Sequence, residues 1–395
     1  MKILMVGACG YGAYLLDLID KYVDGSTHSL SGVADPCIEA SPWAGRLRER
    51  GVPLYTDMAA YYNDVRSGKT PRADLAVISS PIQFHKEQSI LALRNGTSVL
   101  CEKPVTPTAE EAMFIQKAVE DTGLHCGVGF QWSFSHTMME LKRDILAGKY
   151  GRPLRLRTLV AWRREDAYYD TSSWKGRVRD REGSLVMDSV AMNATSHYLH
   201  NMLFILGDGM DKAALPRKIG GCLYRVRDIE SYDTVFLRGE FPGGAEMLCT
   251  VSHAAQKIVN PVFTYEFEKG TVTFGDDTSG EVRGTFTDGT VKNYGCPQTD
   301  ESCAQKILSM LETVRSGEPP VCNVLTVLPH LRVCGGMYDN MPISNFPDRH
   351  IIIEDNPPGR FVTGLNEAMD AFYSAGTFPD RRIYPWASTP VDVMF

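Results

Sequence analysis

Glu102, Lys103 and Pro104 close a short apolar run, Val99-Leu100-Cys101. Such a run reads as a buried parallel strand, and charged groups at the carboxyl end of a buried strand lie where open α/β sheets bind ligands. The competing reading is a surface turn ended by a proline. A second set, Gly7-Ala8-Cys9-Gly10-Tyr11-Gly12, sits between an apolar strand pattern and a helix pattern. A glycine-rich turn there lets the backbone approach a pyrophosphate while the helix start offers free N–H groups. Cys9 holds the second glycine position of G-x-G-x-x-G and a glycine follows at Gly10, so the set could also serve only to tighten a corner. About twenty residues on stands Asp35, where a carboxylate can accept both ribose hydroxyls of NAD. The same carboxylate would repel a 2′-phosphate, which favours NAD over NADP; the alternative is a turn former before Pro36. Ser79-Ser80-Pro81-Ile82-Gln83-Phe84-His85 forms another loop on the same sheet edge.

A second group of candidates falls on a helix expected over residues 193–206. Leu199, Met202, Leu203 and Leu206 share one stripe, and Asn193, His197, His200 and Phe204 share the opposite one. A helix of this kind can bury its apolar side and aim an amide and two imidazoles into a cleft. Competing readings are a solvated polar face, core histidines held by hydrogen bonds, and a metal pair at His197 and His200. No carboxylate or cysteine on that stripe completes a ligand set, so no metal is expected. Asp188 lies just ahead of the helix, either to assist this face or as an ordinary N-terminal cap. The segment from Trp162-Arg163-Arg164 to Trp174-Lys175-Gly176-Arg177 combines aromatic rings with cations and with hydroxyls from Tyr168 and Tyr169. Flat aromatic faces with hydrogen-bonding tips suit a sugar or cyclitol, and arginines suit a carboxylate or phosphate. Trp162 and Trp174 could equally be core or interface aromatics.

The elements that must hold these residues alternate at first. Strands at 2–6, 30–34, 74–79, 99–101 and 124–129 are interleaved with helices at 13–21, 43–50, 58–66, 85–95 and 109–122, which gives a parallel sheet with right-handed crossovers. After Phe130 a helix over 134–147 and an extended stretch over 153–162 lead to strands joined by Gly-, Pro- and Asp-rich turns at 222–226, 234–240, 246–252, 262–268, 271–274, 282–286 and 290–294. Strands without intervening helices indicate an antiparallel or mixed sheet. Helices at 302–316 and 324–338 follow, and a tail from Pro342 holds one more helix at 362–374. The expected architecture is α/β: an N-terminal Rossmann dinucleotide-binding domain over 1–130, then an α+β domain over 131–395 with a C-terminal extension from about 342.

Bulk properties agree with a two-domain globular chain. Its 395 residues exceed one ordinary core. A net charge of −7 offers no basic patch for nucleic acid. Ten cysteines lie scattered without a C-x-x-C pair, which fits reduced thiols in a cytoplasm. No apolar stretch is long enough to span a bilayer, and Met1-Lys2-Ile3-Leu4 runs straight into a strand, so neither a membrane nor a leader is expected.

Taken together, the turn Gly7 to Gly12, the acidic end of strand two, S-P-I-Q-F-H at Ser80 to His85, C-E-K-P at Cys101 to Pro104 and a helical His197 ten residues before Gly207 resemble the glucose-fructose oxidoreductase/inositol dehydrogenase (Gfo/Idh/MocA) family. The resemblance is close over the first 130 or so residues, looser to about Tyr338 and absent from the tail. It implies that Lys103 contacts both the nicotinamide side and the substrate hydroxyl, that Ser79, Ser80, Pro81, His85 and Glu102 lie about the cofactor with the glycine turn and Asp35, and that His197 takes the hydroxyl proton. The family pattern places an aspartate where Asn193 stands and commonly another where His200 stands; both departures remove negative charge. An imidazole with an ordinary pKa near 6.5 can still act as base at neutral pH, and an ammonium at Lys103 would stabilise a developing alkoxide. Asn193 can orient the imidazole or a hydroxyl but cannot stabilise an imidazolium as a carboxylate would. The expected function is an NAD-dependent oxidoreductase acting on a secondary alcohol of a sugar, sugar derivative or cyclitol, as a homodimer or homotetramer in which another subunit covers the open face of the second sheet. The alternatives are a redox-neutral NAD-dependent glycoside hydrolase or lyase and a non-catalytic NAD-binding sensor.

Overall fold

The computed structural model describes residues 1–275, 279–356 and 358–395. The chain forms two compact units, residues 1–139 with 297–328 and residues 140–296 with 329–395.

In the first unit six parallel strands, β1 (Lys2–Val6), β2 (Ser29–Ala34), β3 (Leu54–Tyr55), β4 (Leu75–Ile78), β5 (Ser98–Cys101) and β6 (Cys126–Val128), lie in the order β3-β2-β1-β4-β5-β6. β4 and β5 are buried at every residue, which is why their sequences are continuous apolar runs without alternation. Helices begin and end at identifiable residues. Asp57 accepts from the Ala60 N–H at 2.8 Å to start Met58–Arg66, and Thr108 accepts from the Glu111 N–H at 3.2 Å to start Ala109–Thr122. Gly123, at φ 68°, ends the second of these in the left-handed conformation. The helix expected from His85 starts earlier, at Ile82 behind Pro81, so His85 is a helix residue and not a loop residue. The single helix expected over 134–147 is two, Gln131–Phe134 and His136–Leu146, parted at Ser135 in extended backbone.

The sequence reading assigns everything after Phe130 to the second domain, but residues 297–328 belong to the first unit. The reason is cover: a parallel sheet buries both faces. The helix Asp300–Ser316 packs Cys303, Ala304, Ile307, Met310 and Leu311 into the core that holds Ile3, Met5, Val77 and Leu100. It lies so close to β6 that a Cβ at Gly127 would fall 2.4 Å from the Met310 sulfur. Beyond the helix, the Val128 N–H donates to the Cys322 carbonyl at 2.8 Å.

The second unit is built on a mixed ten-stranded sheet. Nine of its strands, β7 (Pro153–Ala161), β8 (Lys218–Arg225), β9 (Thr234–Glu240), β10 (Glu246–Ser252), β11 (Val259–Phe267), β12 (Gly270–Phe274), β13 (Val282–Phe286), β14 (Val291–Gly295) and β15 (Ile343–Asn345), lie in the order β14-β13-β12-β11-β7-β10-β9-β8-β15, and the tenth pairs with β8 beside β15. β16 (Ile351–Asp355) and β17 (Pro358–Val362) form a separate hairpin, and β18 (Val391–Met394) pairs with β8. β15 and β18 together line one edge of β8, pairing with residues 223–225 and 218–221. One face of the sheet presents Leu159, Cys222, Tyr224, Phe236 and Leu248 to Phe346, Val362, Leu365, Met369, Phe372 and Trp386. The cover expected from another subunit is supplied, for these residues, by the chain's own C-terminal segment. Against the opposite face lies the helix Ser196–Ile205, whose Asn201 donates to the Tyr265 hydroxyl at 2.9 Å.

Candidate functional site

Three loops meet at the carboxyl edge of the first unit's sheet. Gly7 has φ 79°, and a Cβ there would lie 2.8 Å from the Ser79 carbonyl oxygen, so only glycine lets the loops after β1 and β4 touch. Gly12 meets the Gly7 carbonyl in the same way. Gly10 differs: it sits at φ 55°, and a Cβ there would meet no atom within 4 Å. It precedes the helix Tyr11–Tyr22, whose start no side chain caps. This open, uncapped helix start is the cradle that a pyrophosphate requires.

Asp35 is buried, and its carboxylate binds backbone on both sides: Oδ2 accepts from the Ala8 N–H at 2.6 Å and Oδ1 from the Cys37 N–H at 2.7 Å. It therefore fixes the glycine turn to the end of β2, a duty that the sequence reading did not foresee. Cys9 is half-buried with its Sγ toward the Cys37 carbonyl, and burial together with Asp35 pushes its thiol pKa up. Ser79 donates its N–H to the Val6 carbonyl at 2.8 Å, and the Ser80 hydroxyl donates to Gln88. His85, expected about the cofactor, is engaged by backbone from two of the loops there. Its ring is buried, with Nδ1 2.9 Å from the Pro104 carbonyl and Nε2 2.7 Å from the Ser80 carbonyl. It sits between the loops after β4 and β5 and can donate its one N–H to either carbonyl, because burial, acting against those two carbonyls, pulls its pKa below the ordinary histidine value.

Glu102 is likewise an internal tie. Its carboxylate receives the ammonium of Lys306 from the helix Asp300–Ser316, and both side chains are buried. Lys306 also donates to the Tyr11 hydroxyl at 3.1 Å. Burial works to lower the Lys306 pKa, but Glu102 and Tyr11 hold it above the usual lysine range. One buried cation thus joins the glycine turn to the end of β5. Half-buried Lys103 follows directly, donating its N–H to Glu102 Oε2 at 3.3 Å ahead of a cis peptide to Pro104.

In the second unit the continuous helix expected over 193–206 is broken. A π-helical turn covers Val190–Ala194 and the α-helix proper runs Ser196–Ile205. Thr195 closes the π-turn, sending its N–H to the Val190 carbonyl at 2.9 Å and its hydroxyl there at 2.6 Å. Such turns interrupt helices frequently at functional sites. Asn193 lies in it, half-buried, and donates its amide to Asp188 Oδ1 at 2.8 Å, while Asp188 Oδ2 accepts from the Gly176 N–H at 2.7 Å. The cap of this turn is Ser189, whose hydroxyl accepts from the Met192 N–H, so Asp188 holds Asn193 instead. Met187, at φ 48°, is the non-glycine residue with positive φ among the described residues. The two-stripe expectation is also corrected. The helix Ser196–Ile205 is buried on all sides except at half-buried His197. His200 is a core residue, stacked on Phe204 with ring centroids 6.0 Å apart and 6.2 Å from the His330 ring. Burial, His330 and Lys142 hold it well below the ordinary histidine pKa.

The aromatic segment assembles beside Asp188. The Trp162 ring meets Tyr198 edge-on at 5.7 Å, and the Arg164 guanidinium lies 4.8 Å from the Tyr168 ring centre. Trp174 stands half-buried, its carbonyl accepting from the Arg177 N–H at 3.2 Å. His253, which the sequence reading passed over, is buried here with its Nδ1 2.8 Å from the Tyr169 hydroxyl. Burial and then Arg164 and Arg227 press its pKa well below the ordinary value. Among the described residues no group of three or more His, Cys, Asp or Glu is placed to hold a metal ion, and no helix is long and apolar enough to cross a membrane.

The strand order and the glycine turn define the first unit as a Rossmann domain of the dinucleotide-binding class. Residues 1–130 match the Gfo/Idh/MocA family model, described as "Oxidoreductase family, NAD-binding Rossmann fold". Among curated relatives, an inositol 2-dehydrogenase of Streptomyces avermitilis is 32% identical over 157 residues, 40% of this chain and 43% of that protein. A scyllo-inositol 2-dehydrogenase (NAD(+)) of Bacillus subtilis is 36% identical over 84 residues, 21% of this chain and 25% of its own length. The chain spans less than half the length of these relatives. Among solved structures, the WlbA dehydrogenase of Bordetella pertussis in complex with NADH and UDP-GlcNAcA is similar with TM-score 0.67 at 20% identity, over 86% of this chain and 95% of that one. Levoglucosan dehydrogenase in complex with NADH is similar with TM-score 0.69 at 16% identity, over 86% and 96%. At such identities these two likenesses concern the fold.

Proposed function

We propose that the protein is an NAD-dependent oxidoreductase that moves a hydride between nicotinamide and a secondary alcohol of a sugar, sugar derivative or cyclitol. The observation that carries this reading is the open, uncapped helix start behind Gly10, flanked by the Ser79-Ser80 and Lys103 loops. The family match over residues 1–130 and the inositol dehydrogenase relatives support it. In the proposal Gly7, Gly10 and Gly12 let backbone N–H groups reach the pyrophosphate, and Asp35 faces the ribose from a position already fixed by its two N–H bonds. The nicotinamide would supply the hydride acceptor or donor. Lys103 stabilises the developing alkoxide, and His197 takes the hydroxyl proton, with Asn193 held by Asp188 in support. Assembly as a homodimer or homotetramer stays part of the proposal, and light scattering of the eluted protein reads it directly.

Incubating the purified protein with NAD and a panel of cyclitols, sugars and aryl glycosides, while recording NADH and sugar products together, tests the reading. NADH accumulating with one substrate is expected, and Lys103→Ala is expected to abolish it while NAD affinity stays within a few-fold. Products without NADH would overturn net oxidation in favour of a redox-neutral hydrolase. Silence in both channels, with NAD still bound, would leave a sensor.

A further inference from the structure

Several carboxylates in the region of the aromatic segment are already committed. Asp166 pairs with Arg227 at 2.8 Å and with Arg360 at 2.9 Å. Asp233 accepts from the Val226 N–H at 3.0 Å and lies 3.6 Å from Arg227, and Asp188 holds Gly176 and Asn193. Glu354 takes Arg163 at 2.8 Å.

Two cations of the cluster are left over. Arg164 has its guanidinium carbon 4.8 Å from the Tyr168 ring centre and 6.0 Å from that of Trp162. Its Nε is buried without a hydrogen-bond partner, and among the described residues it forms no ion pair. Lys175 places its ammonium 4.3 Å from the same Tyr168 ring centre and, among the described residues, donates to the Thr171 hydroxyl at 2.7 Å. Nearby, His253 Nε2 is buried and also lacks a partner. Ring faces attract cations, but a guanidinium keeps several N–H donors that a ring does not satisfy.

We infer that Arg164 and Lys175 form a subsite for an anionic substituent, a carboxylate or a phosphate, on the sugar or cyclitol that the protein takes. The Tyr168 ring carries the two donors and Trp162 supplies a flat apolar face beside them, so one patch offers a wall for a ring and a counter-charge for its acidic group. An arriving anion would satisfy the buried Arg164 Nε edge and separate two like charges. Burial lowers the Lys175 pKa, and the attraction of Asp188, opposed in part by Arg164, does not offset it, so the ammonium is only partly compensated where it stands. The subsite narrows the substrate of the proposed oxidoreductase and rests on that reading only for the chemistry at the hydroxyl.

Isosteric pairs test it. The full-length protein with NADH is titrated calorimetrically with D-glucuronate and D-glucuronamide, with D-galacturonate and its amide, and with D-glucose 6-phosphate and D-glucose. At least one acid should bind about tenfold or more tighter than its neutral counterpart, the effect of one charge-assisted hydrogen bond. Whether uronate or phosphate gains more names the anion. Arg164→Gln and Lys175→Gln should each reduce that preference severalfold, with NADH titration as the check on fold. Equal affinity within every pair, no binding by any member, or an undiminished preference in both variants would overturn the subsite. NADH formation from NAD, followed on the same compounds, separates the two ideas. Acid preference without turnover keeps the subsite and removes the oxidoreductase reading, whereas turnover without acid preference does the reverse.

Discussion

At the scale of single residues, the charge that Asn193 lacks is present one contact away. Where the family pattern has an aspartate, this chain has an amide whose N–H₂ group points at a buried carboxylate, Asp188. Asn193→Asp should therefore not improve the proposed activity. It would set two carboxylates within hydrogen-bond distance, forcing one to take a proton, with a loss of about 1–3 kcal/mol in stability and a drop in kcat/KM. The exchange Asp188→Asn with Asn193→Asp restores an amide-carboxylate pair and should recover much of both. Denaturant melts and steady-state kinetics on the three variants decide it; a single variant more active than wild type would remove Asp188 from the account. The sequence displayed both residues and their proximity to His197. It hid their contact, because only the π-turn brings the Asn193 side chain back onto Asp188.

At the scale of elements, the helix Asp300–Ser316 does more than cover the sheet. Lys306→Met leaves Glu102 buried without its cation, which should cost about 3–5 kcal/mol of stability in the first unit. Glu102→Gln with Lys306→Met removes both charges and should recover a large part. Urea unfolding followed alongside NAD affinity reads both effects, and a Lys306→Met protein as stable as wild type would show that the pair holds nothing. Local pattern made much of this architecture legible. The helices Met58–Arg66 and Ala109–Thr122 and the strands β9, β10 and β13 carry clear period and punctuation, and their expected bounds coincide with the structure. The return of residues 297–328 was not legible, since nothing beside Glu102 announces a partner 204 positions away. One hint existed: Lys306 falls on the stripe of Cys303, Ile307 and Met310, a charge where burial is expected.

At the scale of the whole molecule, three buried histidines set an acid limit. His85, His200 and His253 all have folded pKa values lowered chiefly by burial. Below an ordinary value near 6.5 the unfolded chain binds protons that the folded chain refuses, so stability falls as pH drops through this window, by up to about 1.4 kcal/mol per pH unit for each histidine. Thermal melts from neutral pH to about pH 5 should show the decline, and His200→Phe should flatten it; a stability flat across that window would contradict the assignment. The tail shows where reading by pattern stopped. Its one expected helix, 362–374, forms as Leu365–Ala375, but nothing local announces that Phe346, Phe372 and Trp386 bury against one apolar sheet face.

The discontinuity of the first unit also bears on how the chain is made. A ribosome releases the six strands early, but the lysine that neutralises Glu102 emerges only after residues 140–296 have been translated. At ~5–20 residues per second that interval is roughly 10–30 s. Throughout it, the nascent nucleotide-binding domain lacks one cover and carries an unmatched acid at the end of β5. Its completion is timed by the second unit's synthesis, and the cofactor turn is tied to β5 through Tyr11 and Lys306 only once residues 140–296 exist.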